Sequence, residues 1–451
     1  MITYRPGDPG YQHARKLFIG RHTEVLPKAI LECESEPDVV AALGLAKGGP
    51  FAIRGGGHSF AEHSTSDGLV LDLSGLDRID VLSESVIVGA GVRVGALTDT
   101  LAPLGLVVPV GWCRSVGVVG AVLGGGYGVL GRYYGLGSDH LVAARVLLAN
   151  GRVVKASADE HTDLFWALRG AGGGNFGVVL SVELRTRPAV ALTTVQATWP
   201  YERVVDVVAA WQHLAPFASR EVNLELSVYA SDFPDESPAV ALFGVVVGPP
   251  GDAHTVLAAF ADRAGRPSST ACTTLSATNA ARHCDYPGDT AEHTLPRLPY
   301  GERPALRLSR SEFFTGPMPR TVLAELTEHL AKERTHGVYR DLELIPWGAA
   351  LSAPQGGAFP HRNARFLLKH TVQTGSRATD DTRTTATNWV NHSWSLTHTI
   401  GTGSSYINYP DLALKDWAQT YYGPNIPRLQ GIKKTYDPDA IFHFSHGLTE
   451  A

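Results

Sequence analysis

Short apolar runs separated by glycine fill the first 190 positions of the chain, a pattern typical of β-strands joined by tight turns. The runs GLVLDLS, SVIVGAG and LVAARVLLANGRVVKAS are examples. In the last of these, Asn150 and Gly151 separate two apolar runs, which predicts a β-hairpin. The segment TDLFWALRG predicts a short helix with Thr162 or Asp163 near its N-cap and Gly170 at its end.

The pattern changes after about residue 188, where strand-like runs alternate with amphipathic helical segments. The runs NLELSVYAS, AVALFGVVVG and ARFLLKHTVQT predict strands, and PRTVLAELTEHLAKE has apolar residues at helical spacing. The stretch 266–318 is rich in proline, threonine and arginine, which predicts a long surface loop. These shifts predict three parts: a glycine-rich nucleotide-type domain over 1–188, a mixed-sheet domain over 189–398, and a segment over 399–451 that returns to the first.

Composition narrows the class of protein. The chain has 451 residues, of which 44% are hydrophobic and 18% charged, and this is ordinary for a soluble globular protein of two domains. A net charge of -5 gives no basic surface for nucleic acid or an anionic membrane. The start has no signal-peptide pattern and no apolar run is long enough to span a bilayer, so we expect a cytoplasmic protein. The oligomeric state cannot be inferred from the sequence.

Three glycine clusters stand out in the first part: RGGGHS, VGVVGAVLGGGYGVLGRYYGLG and RGAGGGNFG. One such cluster is more simply a tight turn. Three in one domain, each beside a strand or helix start, favour backbone N–H groups that hold an anion, and the pyrophosphate of an extended cofactor is the natural ligand. A Rossmann fingerprint fits poorly, because GGGYGVLG matches only loosely and no clear strand precedes it. No Gly-Lys-Ser/Thr follows a cluster, so a P-loop is excluded.

His58 and Cys113 are the reactive side chains next to these clusters. His58 forms an H-x4-H pair with His63, but no third ligand is evident and we expect no metal. Cys113 has two interpretations. It is either a small buried apolar residue or, beside Arg114 and a glycine-lined anion site, a thiol placed to ionise and act as a nucleophile. The four cysteines have neither metal-ligand spacing nor a disulfide framework.

The same motifs carry a resemblance to a known family. RGGGHSFAEHSTSDGLVLDLS, GWCRSVGVVGAVLGGGYGVLGRYYGLGSDHL, RGAGGGNFGVV and the terminal YINYPD…YYGPNIPRLQGIKKTYDPDAIF resemble the berberine-bridge-enzyme-like flavin oxidases of the vanillyl-alcohol-oxidase superfamily. The resemblance is strongest over 20–188 and 400–445, and GGAFPHRN carries it in the middle. It implies an α+β fold, with a two-subdomain PCMH-type FAD-binding domain and a substrate domain whose antiparallel sheet is flanked by helices.

The resemblance also implies how FAD is held. His58 takes the position that is bonded to the flavin 8α-methyl, and Cys113 the position bonded to C6 in a large subset of the family. Two such bonds fix the flavin ring and typically raise its reduction potential. The residues expected to contact FAD besides these two are Arg54, Gly55, Gly56, Gly57, Ser59, Gly117, Val118, Gly120, Gly124, Tyr127, Gly177, Val179 and Asn408.

Tyr409 matches the tyrosine that acts as base in related sugar oxidases. A free phenol has a pKa near ~10, so we expect its pKa to be lowered by a cation or a hydrogen-bond donor. Tyr406 or Tyr127 would serve as that donor. On a strand Tyr406 and Asn408 would share one face and Tyr409 the other, whereas a turn at NYPD would bring the two tyrosines together. A pair of core aromatics is the alternative.

Alternation along RDLELIPWGAALS predicts one strand face made of Asp341, Glu343, Ile345 and Trp347. Glu343 would be a second base or a substrate-binding group and Trp347 a stacking platform, unless the acidic pair forms a solvated face. Lys369 and His370 are adjacent on one strand, so at most one of them lines the site.

The chain departs from the family at two places: Gly348-Ala349 stands where two glycines are common, and His446 where a glutamine is common. We expect the first to reshape the pocket roof modestly. The implied function is an FAD oxidase, with a small-molecule substrate and O2, that converts a hydroxyl of a sugar or a glycosylated secondary metabolite to a carbonyl and releases H2O2. Two alternatives stay open: oxidative cyclisation or desaturation of a secondary metabolite, and a cyclisation without net redox on a flavin scaffold.

Overall fold

The computed structural model describes residues 1–19, 25–283, 306–353, 356–375 and 377–449. Its first half contains short elements. The strands are β1 (Ile2–Tyr4), β2 (Ala29–Glu32), β3 (Phe51–Arg54), β4 (Leu69–Asp72), β5 (Ile79–Val81), β6 (Ser85–Gly89), β7 (Leu106–Val107), β8 (Leu141–Leu147), β9 (Val153–Ser157), β10 (Val178–Arg185) and β11 (Arg187–Pro188). The α-helices are α1 (Tyr11–Ala14), α2 (Glu36–Ala46), α3 (Val94–Leu101), α4 (Val118–Leu123), α5 (Gly131–Tyr134) and α6 (Thr162–Leu168).

Two sheets organise this half. β2, β4 and β3 pair in parallel, with β1 antiparallel at the edge, and the second sheet is antiparallel in the order β5-β6-β10-β8-β9. The hairpin predicted at Asn150-Gly151 is confirmed by the pairing of Leu147 with Val153. Helix α6 is also confirmed: its N-cap is His161, so Thr162 and Asp163 lie next to the cap as predicted, and the Asp163 carboxylate accepts a hydrogen bond from Tyr436 Oη at 2.7 Å.

The second half is built on one seven-stranded antiparallel sheet, ordered β15-β12-β14-β13-β17-β18-β16. Its strands are β12 (Leu192–Trp199), β13 (Val222–Ala230), β14 (Ala239–Val247), β15 (Ser269–Leu275), β16 (Leu306–Phe314), β17 (Val338–Pro346) and β18 (Phe366–Thr374). The helices are α7 (Val204–Leu214), α8 (Pro250–Ala264), α9 (Ala277–Ala281), α10 (Arg320–Ala331), α11 (Asp380–His398), α12 (Trp417–Tyr422) and α13 (Ile426–Tyr436). Within the described ranges, 3₁₀ turns lie at Glu62–Ser64, Ala102–Leu104, Gly137–His140, Tyr201–Arg203, Ala215–Phe217, Ala349–Ser352 and Gly423–Asn425.

The long loop predicted over 266–318 is wrong in the part that the structure describes. Residues 269–275 form β15 and residues 306–314 form β16. Threonine-rich sequence suits a strand as well as a loop, since Thr is β-branched, and the exposed side chains of this edge strand are consistent with its polar composition. Residues 284–305, with Cys284, lie outside the described residues.

The two faces of the large sheet differ in chemistry. One face packs against α7, α8, α10 and α11 in a core that includes Trp211, Leu323 and Trp389. The other face presents polar and charged side chains from β13, β17 and β18 towards the first half of the chain. Because buried charges are costly unless paired or used, this second face is where a functional site is expected.

Two loops of the first half touch through bare backbone. A Cβ added to Gly56 would stand 2.3 Å from the backbone nitrogen of Gly117, and one added to Gly117 would stand 2.6 Å from that of Gly56. No side chain fits at either position, so the RGGGHS loop and the start of α4 come together only because both residues are glycine.

The C-terminal segment contacts the first half. Lys433 Nζ donates to the Asn175 carbonyl at 2.7 Å, and the Leu448 amide donates to Asn175 Oδ1 at 2.9 Å. These bonds fit the predicted return of residues 399–451, although the domain boundaries at 188 and 398 stay predictions. In the described part of the chain, no helix has the length and apolar character needed to cross a membrane.

Candidate active site

A cavity of about 830 Å³ lies between the glycine clusters of the first half and the polar face of the large sheet. The C-terminal segment closes it with Ile407, Asn408, Phe442 and Phe444. This volume is at the upper end of what cofactor and ligand sites occupy. The cavity therefore has room for an extended cofactor together with part of a substrate.

The glycine-lined end is shaped for a flat or extended ligand. A Cβ added to Gly120 of α4 would meet no atom within 4 Å, and one added to Gly173 only the Leu123 side chain at 3.6 Å. Both glycines line the cavity, so any side chain there would take space from its contents. Ile53, Leu73 and Ala90 make the neighbouring wall apolar. These residues fit the nucleotide and flavin of FAD.

His58 is held in a fixed orientation at the cavity wall. Its Nε2 lies 2.9 Å from the hydroxyl of Ser115, and its ring stacks on Phe18 with centroids 4.0 Å apart. Cys113 lines the same cavity and is not part of a disulfide. Arg114, predicted beside the thiol, instead pairs with Asp99 of α3 at 2.6 Å. Negative charge on Cys113 would raise the pKa of Lys369, so the two groups are electrostatically coupled.

Ten of the thirteen further residues predicted to contact the cofactor line the cavity: Gly55, Gly56, Gly57, Ser59, Gly117, Gly120, Tyr127, Gly177, Val179 and Asn408. The other three lie behind the wall. Arg54 pairs with Asp72 at 2.6 Å, directly opposite it in the parallel β3–β4 pair. The amide of Val118 donates to the Val92 carbonyl at 3.0 Å, and the amide of Gly124 to the Ala121 carbonyl at 3.3 Å, so both donors are used within the protein.

Tyr409 and Tyr127 share a short hydrogen bond between their hydroxyls at the other end of the cavity. Residues 406–409 form the turn predicted at NYPD rather than a strand, since the Tyr409 amide donates to the Tyr406 carbonyl at 2.8 Å. The Tyr406 hydroxyl accepts from the Gly126 amide and from Asn408 Nδ2, each at 2.9 Å. Tyr127, not Tyr406, is therefore the partner of Tyr409, and Tyr406 positions the turn.

Burial dominates the ionisation of these phenols. It raises the pKa of Tyr409 and Tyr127, and raises that of Tyr406 to about 12. The hydrogen bond from Tyr127 acts in the opposite direction on Tyr409. The prediction that the pKa of Tyr409 is lowered is thus wrong: in the protein without a cofactor or substrate, burial outweighs the hydrogen bond and the pKa is raised. A cation is nevertheless in place, since Lys369 Nζ lies 4.9 Å from the centroid of the Tyr409 ring.

Lys369 belongs to a buried charged group on the sheet. It forms an ion pair with Glu343, its direct cross-strand neighbour in the β17–β18 pair. Asp341 accepts a hydrogen bond from Ser227 at 2.6 Å. Burial lowers the pKa of Lys369 and raises that of Asp341. The solvated-face alternative for the two acids is therefore wrong.

Neighbouring residues on the same strands point elsewhere. His370 faces α11, where its ring nitrogens contact Ser393 at 2.8 Å and Thr397 at 3.1 Å, so only Lys369 of this pair lines the site, as expected. Trp347 lies in the core, 5.7 Å from the Tyr127 ring, rather than in the cavity wall. The stacking platform predicted at Trp347 is wrong because the rings of Tyr127, Phe359 and Tyr406 pack around it within the core.

Both departures from the family pattern fall at positive φ. Gly348 has φ 88° and Ala349 φ 49°, which explains why glycine suits both positions and why alanine is strained there. Ala349 does not line the cavity, so it does not reshape a pocket roof. His446 has φ 63°, lines the cavity and stacks on Trp417 with ring centroids 5.2 Å apart.

Comparison with known proteins gives the family. The model "FAD binding domain" matches residues 27–157, and "Berberine and berberine like" matches residues 405–449. The FAD-linked oxidoreductase pgmH of Aspergillus terreus is 30% identical over 409 residues, which cover 86% of this chain and 80% of that protein. The chain belongs to the berberine-bridge-enzyme-like FAD-linked oxidoreductases.

Solved structures of the family confirm the fold. Physcomitrella patens BBE-like 1 is 26% identical and superposes with a TM-score of 0.87, covering 100% of this chain and 97% of that one. A glucooligosaccharide oxidase of Acremonium strictum is 25% identical with a TM-score of 0.87, covering 100% of this chain and 96% of that one. The flavin of that oxidase is described as 6-S-cysteinyl, 8α-N1-histidyl FAD. The α+β berberine-bridge architecture and an FAD-dependent oxidoreductase activity are thus established.

Several residues of this berberine-bridge site were not predicted from the sequence. Ser115, Phe60 and Arg307 line or support the cavity, and Glu225 lies behind the tyrosine pair. A signal existed for the last two, since a charged residue within an apolar strand run is unusual unless it has a function. Among the residues described, no cluster of three His, Cys, Asp or Glu side chains could hold a metal ion.

Glu225 of β13 is a buried acid beside this tyrosine pair. Neither carboxylate oxygen has a hydrogen-bond partner in the described structure, and the charge of Glu225 raises the pKa of both Tyr127 and Tyr409. Burial raises the pKa of Glu225 itself to about 8. Burial therefore favours the protonated form of this carboxyl group.

This makes stability pH-dependent in a defined direction. Because the native pKa is above the unfolded value, the native state binds more protons, and the contribution present below pH ~4 is lost as pH rises through about 8. Glu225→Gln should raise the Tm at pH 9 by roughly several degrees and change it little at pH 5. Thermal unfolding followed against pH measures this difference. Glu221→Gln, at a partly exposed position next to the same strand, is the control. A gain for Glu225→Gln that does not grow with pH contradicts the proposed cause.

Proposed function

We propose that this protein is a sugar oxidase with bicovalently bound FAD, which converts a hydroxyl of a sugar or glycosylated metabolite to a carbonyl and reduces O2 to H2O2. The observation that carries the proposal is the Tyr409 hydroxyl, bonded to Tyr127 and with the Lys369 ammonium 4.9 Å from its ring, at one end of a cavity whose other end suits FAD. A phenol with a donor and a cation beside it is equipped to accept the proton of an alcohol.

Tyr409 is the proposed proton acceptor, and its neighbours Tyr127 and Lys369 stabilise its ionised form. Tyr127 and Tyr409 share a hydrogen bond in which Tyr127 is the donor once Tyr409 is ionised, and the Lys369 cation stabilises negative charge on that ring and oxygen. Both interactions are strongest in a buried site and oppose the effect of burial on Tyr409. The alcohol O–H proton passes to the phenolate form of Tyr409, which these two interactions favour, and this leaves the carbinol carbon able to release a hydride. Bound FAD would supply the hydride acceptor and the route for electrons to O2.

His58 and Cys113 are the proposed attachment points. Ser115 engages Nε2 of His58, so we assign the flavin bond to Nδ1. A neutral imidazole whose Nε2–H donates to the Ser115 oxygen has its lone pair on Nδ1, as a nucleophile requires. Cys113 would supply the second bond through Sγ. This assignment is supported by the Acremonium glucooligosaccharide oxidase, whose FAD has one histidyl and one cysteinyl bond.

The sugar substrate is supported by the cavity wall. Asp341, Glu343, Thr371 and Gln373 line it as hydrogen-bonding groups on one sheet face, next to the aromatic rings of Phe60 and Tyr339. Polar groups and flat rings together suit a carbohydrate better than an apolar metabolite. The 25% identical glucooligosaccharide oxidase agrees with this choice.

Oxygen uptake tests the proposal. Purified protein is incubated in air with cellobiose, chitobiose and maltose, and O2 consumption, H2O2 and the oxidised sugar are quantified. We expect one H2O2 per carbonyl formed for at least one sugar. A protein that oxidises none of them, or a product isomeric with its substrate, would contradict the sugar-oxidase assignment.

A further inference from the structure

Arg307 is a cation in the cavity wall that the proposed proton transfer does not use. It lies on β16, opposite Gln373 of β18, and both residues line the cavity. Its Cζ is 5.7 Å from the ring centroid of Phe18 and 5.5 Å from that of Phe60. Contact with two aromatic rings restrains the guanidinium and leaves its N–H edges for other partners.

One donor of the Arg307 guanidinium lacks an acceptor: its Nε is buried and has no hydrogen-bond partner. The charge of Arg307 lowers the pKa of Asp341, but among the described residues no carboxylate forms an ion pair with this guanidinium. Its neighbour Asp341 is engaged by Ser227 at 2.6 Å, and Lys369 by Glu343. A buried donor without an acceptor costs free energy, so this position is expected to receive an acceptor from a ligand.

Phe60 lies between Arg307 and Tyr409, the proposed proton acceptor. The Phe60 ring centroid lies 5.3 Å from that of Tyr409 and 5.5 Å from Arg307 Cζ. The separation between the Tyr409 ring and Arg307 therefore cannot exceed the sum of these two distances. One or two sugar rings span such a separation, so a substrate with its reacting hydroxyl at Tyr409 reaches Arg307 with a neighbouring part.

We propose that Arg307 binds a carboxylate of the substrate, carried on the sugar unit at or next to the one that is oxidised, so that the preferred substrates are acidic glycosides such as uronic-acid disaccharides. The inference rests on the proposed sugar-oxidase function and specifies its substrate class. A carboxylate matches the planar guanidinium edge through two parallel N–H···O bonds. In a half-buried site flanked by aromatic rings, such charge-assisted bonds are stronger than in water.

The test compares two disaccharides that differ in one group: cellobiose, and the uronic acid in which a glucuronate replaces one glucose. Their affinities for the flavin-loaded protein are measured by titration calorimetry. We expect the uronate to bind roughly ten- to a hundredfold more tightly. Arg307→Met should bring the affinity ratio close to one, and Arg307→Lys, which keeps the charge but not the planar fork, should give an intermediate ratio. Arg78→Met, an exposed cation remote from the cavity, is the control that keeps the wild-type ratio.

The outcomes separate this proposal from the one on which it rests. Equal affinities in the wild type, no binding of either disaccharide, or a ratio that survives Arg307→Met overturns the carboxylate site. A phosphorylated cellobiose that binds more tightly than the uronate overturns the choice of carboxylate. Peroxide formation is measured with the same sugars. If the affinity ratio depends on Arg307 but neither sugar is oxidised, the carboxylate site stands and the oxidase function is contradicted. If the sugars are oxidised but the affinity ratio does not depend on Arg307, the oxidase function stands and the carboxylate site is contradicted.

Discussion

Tyr409→Phe should lower the rate of sugar oxidation by about 10²–10⁴-fold, the usual contribution of a general base. The substitution removes the only atom of the ring that can accept the alcohol proton and leaves the ring contacts with Phe60 and Tyr406 in place. Peroxide production at saturating sugar gives the rate, and the KM should change far less than kcat, because a proton acceptor acts mainly in the transition state.

Two further variants calibrate the Tyr409 result. Tyr127→Phe removes one hydrogen bond to the base and should cost roughly tenfold. Tyr201→Phe removes a half-buried phenol on the helix-covered side of the sheet, where its hydroxyl donates to the Thr327 carbonyl at 2.6 Å, and should leave the rate near the wild type. A Tyr409→Phe protein that keeps most of its rate would instead favour dehydrogenation without a base, as in desaturation or oxidative cyclisation.

Removing both attachment residues should release the flavin completely. In acid-precipitated wild-type protein, we expect the pellet to be yellow and the peptides that contain His58 and Cys113 to carry the flavin mass. Each single alanine variant keeps one bond, so its pellet should stay yellow. The His58→Ala/Cys113→Ala pellet should be colourless, because only non-covalent contacts remain and these are lost when the chain unfolds.

The matched control for flavin attachment is His63→Ala. His63 lines the same cavity five residues after His58, but burial lowers its pKa to about 4 and no covalent role is proposed for it. This variant should retain both bonds. Flavin in the supernatant of the wild type would show that neither bond forms. Ser115→Ala keeps both nucleophiles and should slow attachment at His58 alone, since it removes the group that sets the imidazole tautomer.

Local patterns predicted the parts of the fold that local forces determine. The Asn150-Gly151 hairpin, the helix around Leu323 and Leu326, and the opposite faces of Lys369 and His370 each depend on a few consecutive residues. The glycine clusters and His58 were also identified from the sequence, because glycine next to a reactive side chain is informative without knowing the fold. Their resemblance to a family then supplied the expected cofactor.

Contacts between residues that are far apart in the sequence could not be predicted from such local patterns. Tyr127 and Tyr409 are 282 positions apart, and only the packing of the C-terminal turn on the α4 region brings their hydroxyls together. Arg54 was assigned to the cofactor because its partner Asp72 becomes visible only when β3 and β4 are aligned. Trp347 was placed in the cavity because alternation predicts the face of a strand on which a side chain lies but not which aromatic rings pack over it.

The backbone contact between Gly56 and Gly117 has a consequence for how this family diversifies. His58 and Cys113 lie on the two loops that meet there, so main-chain contact rather than side-chain packing sets the spacing between the two attachment points. A change at either attachment residue leaves that spacing intact. Under the proposed attachment, a lineage could therefore move between two, one and no covalent bonds by single substitutions, each through a protein with an undisturbed cofactor site. A substitution at either glycine has no such neutral route, because it would displace both attachment points at once.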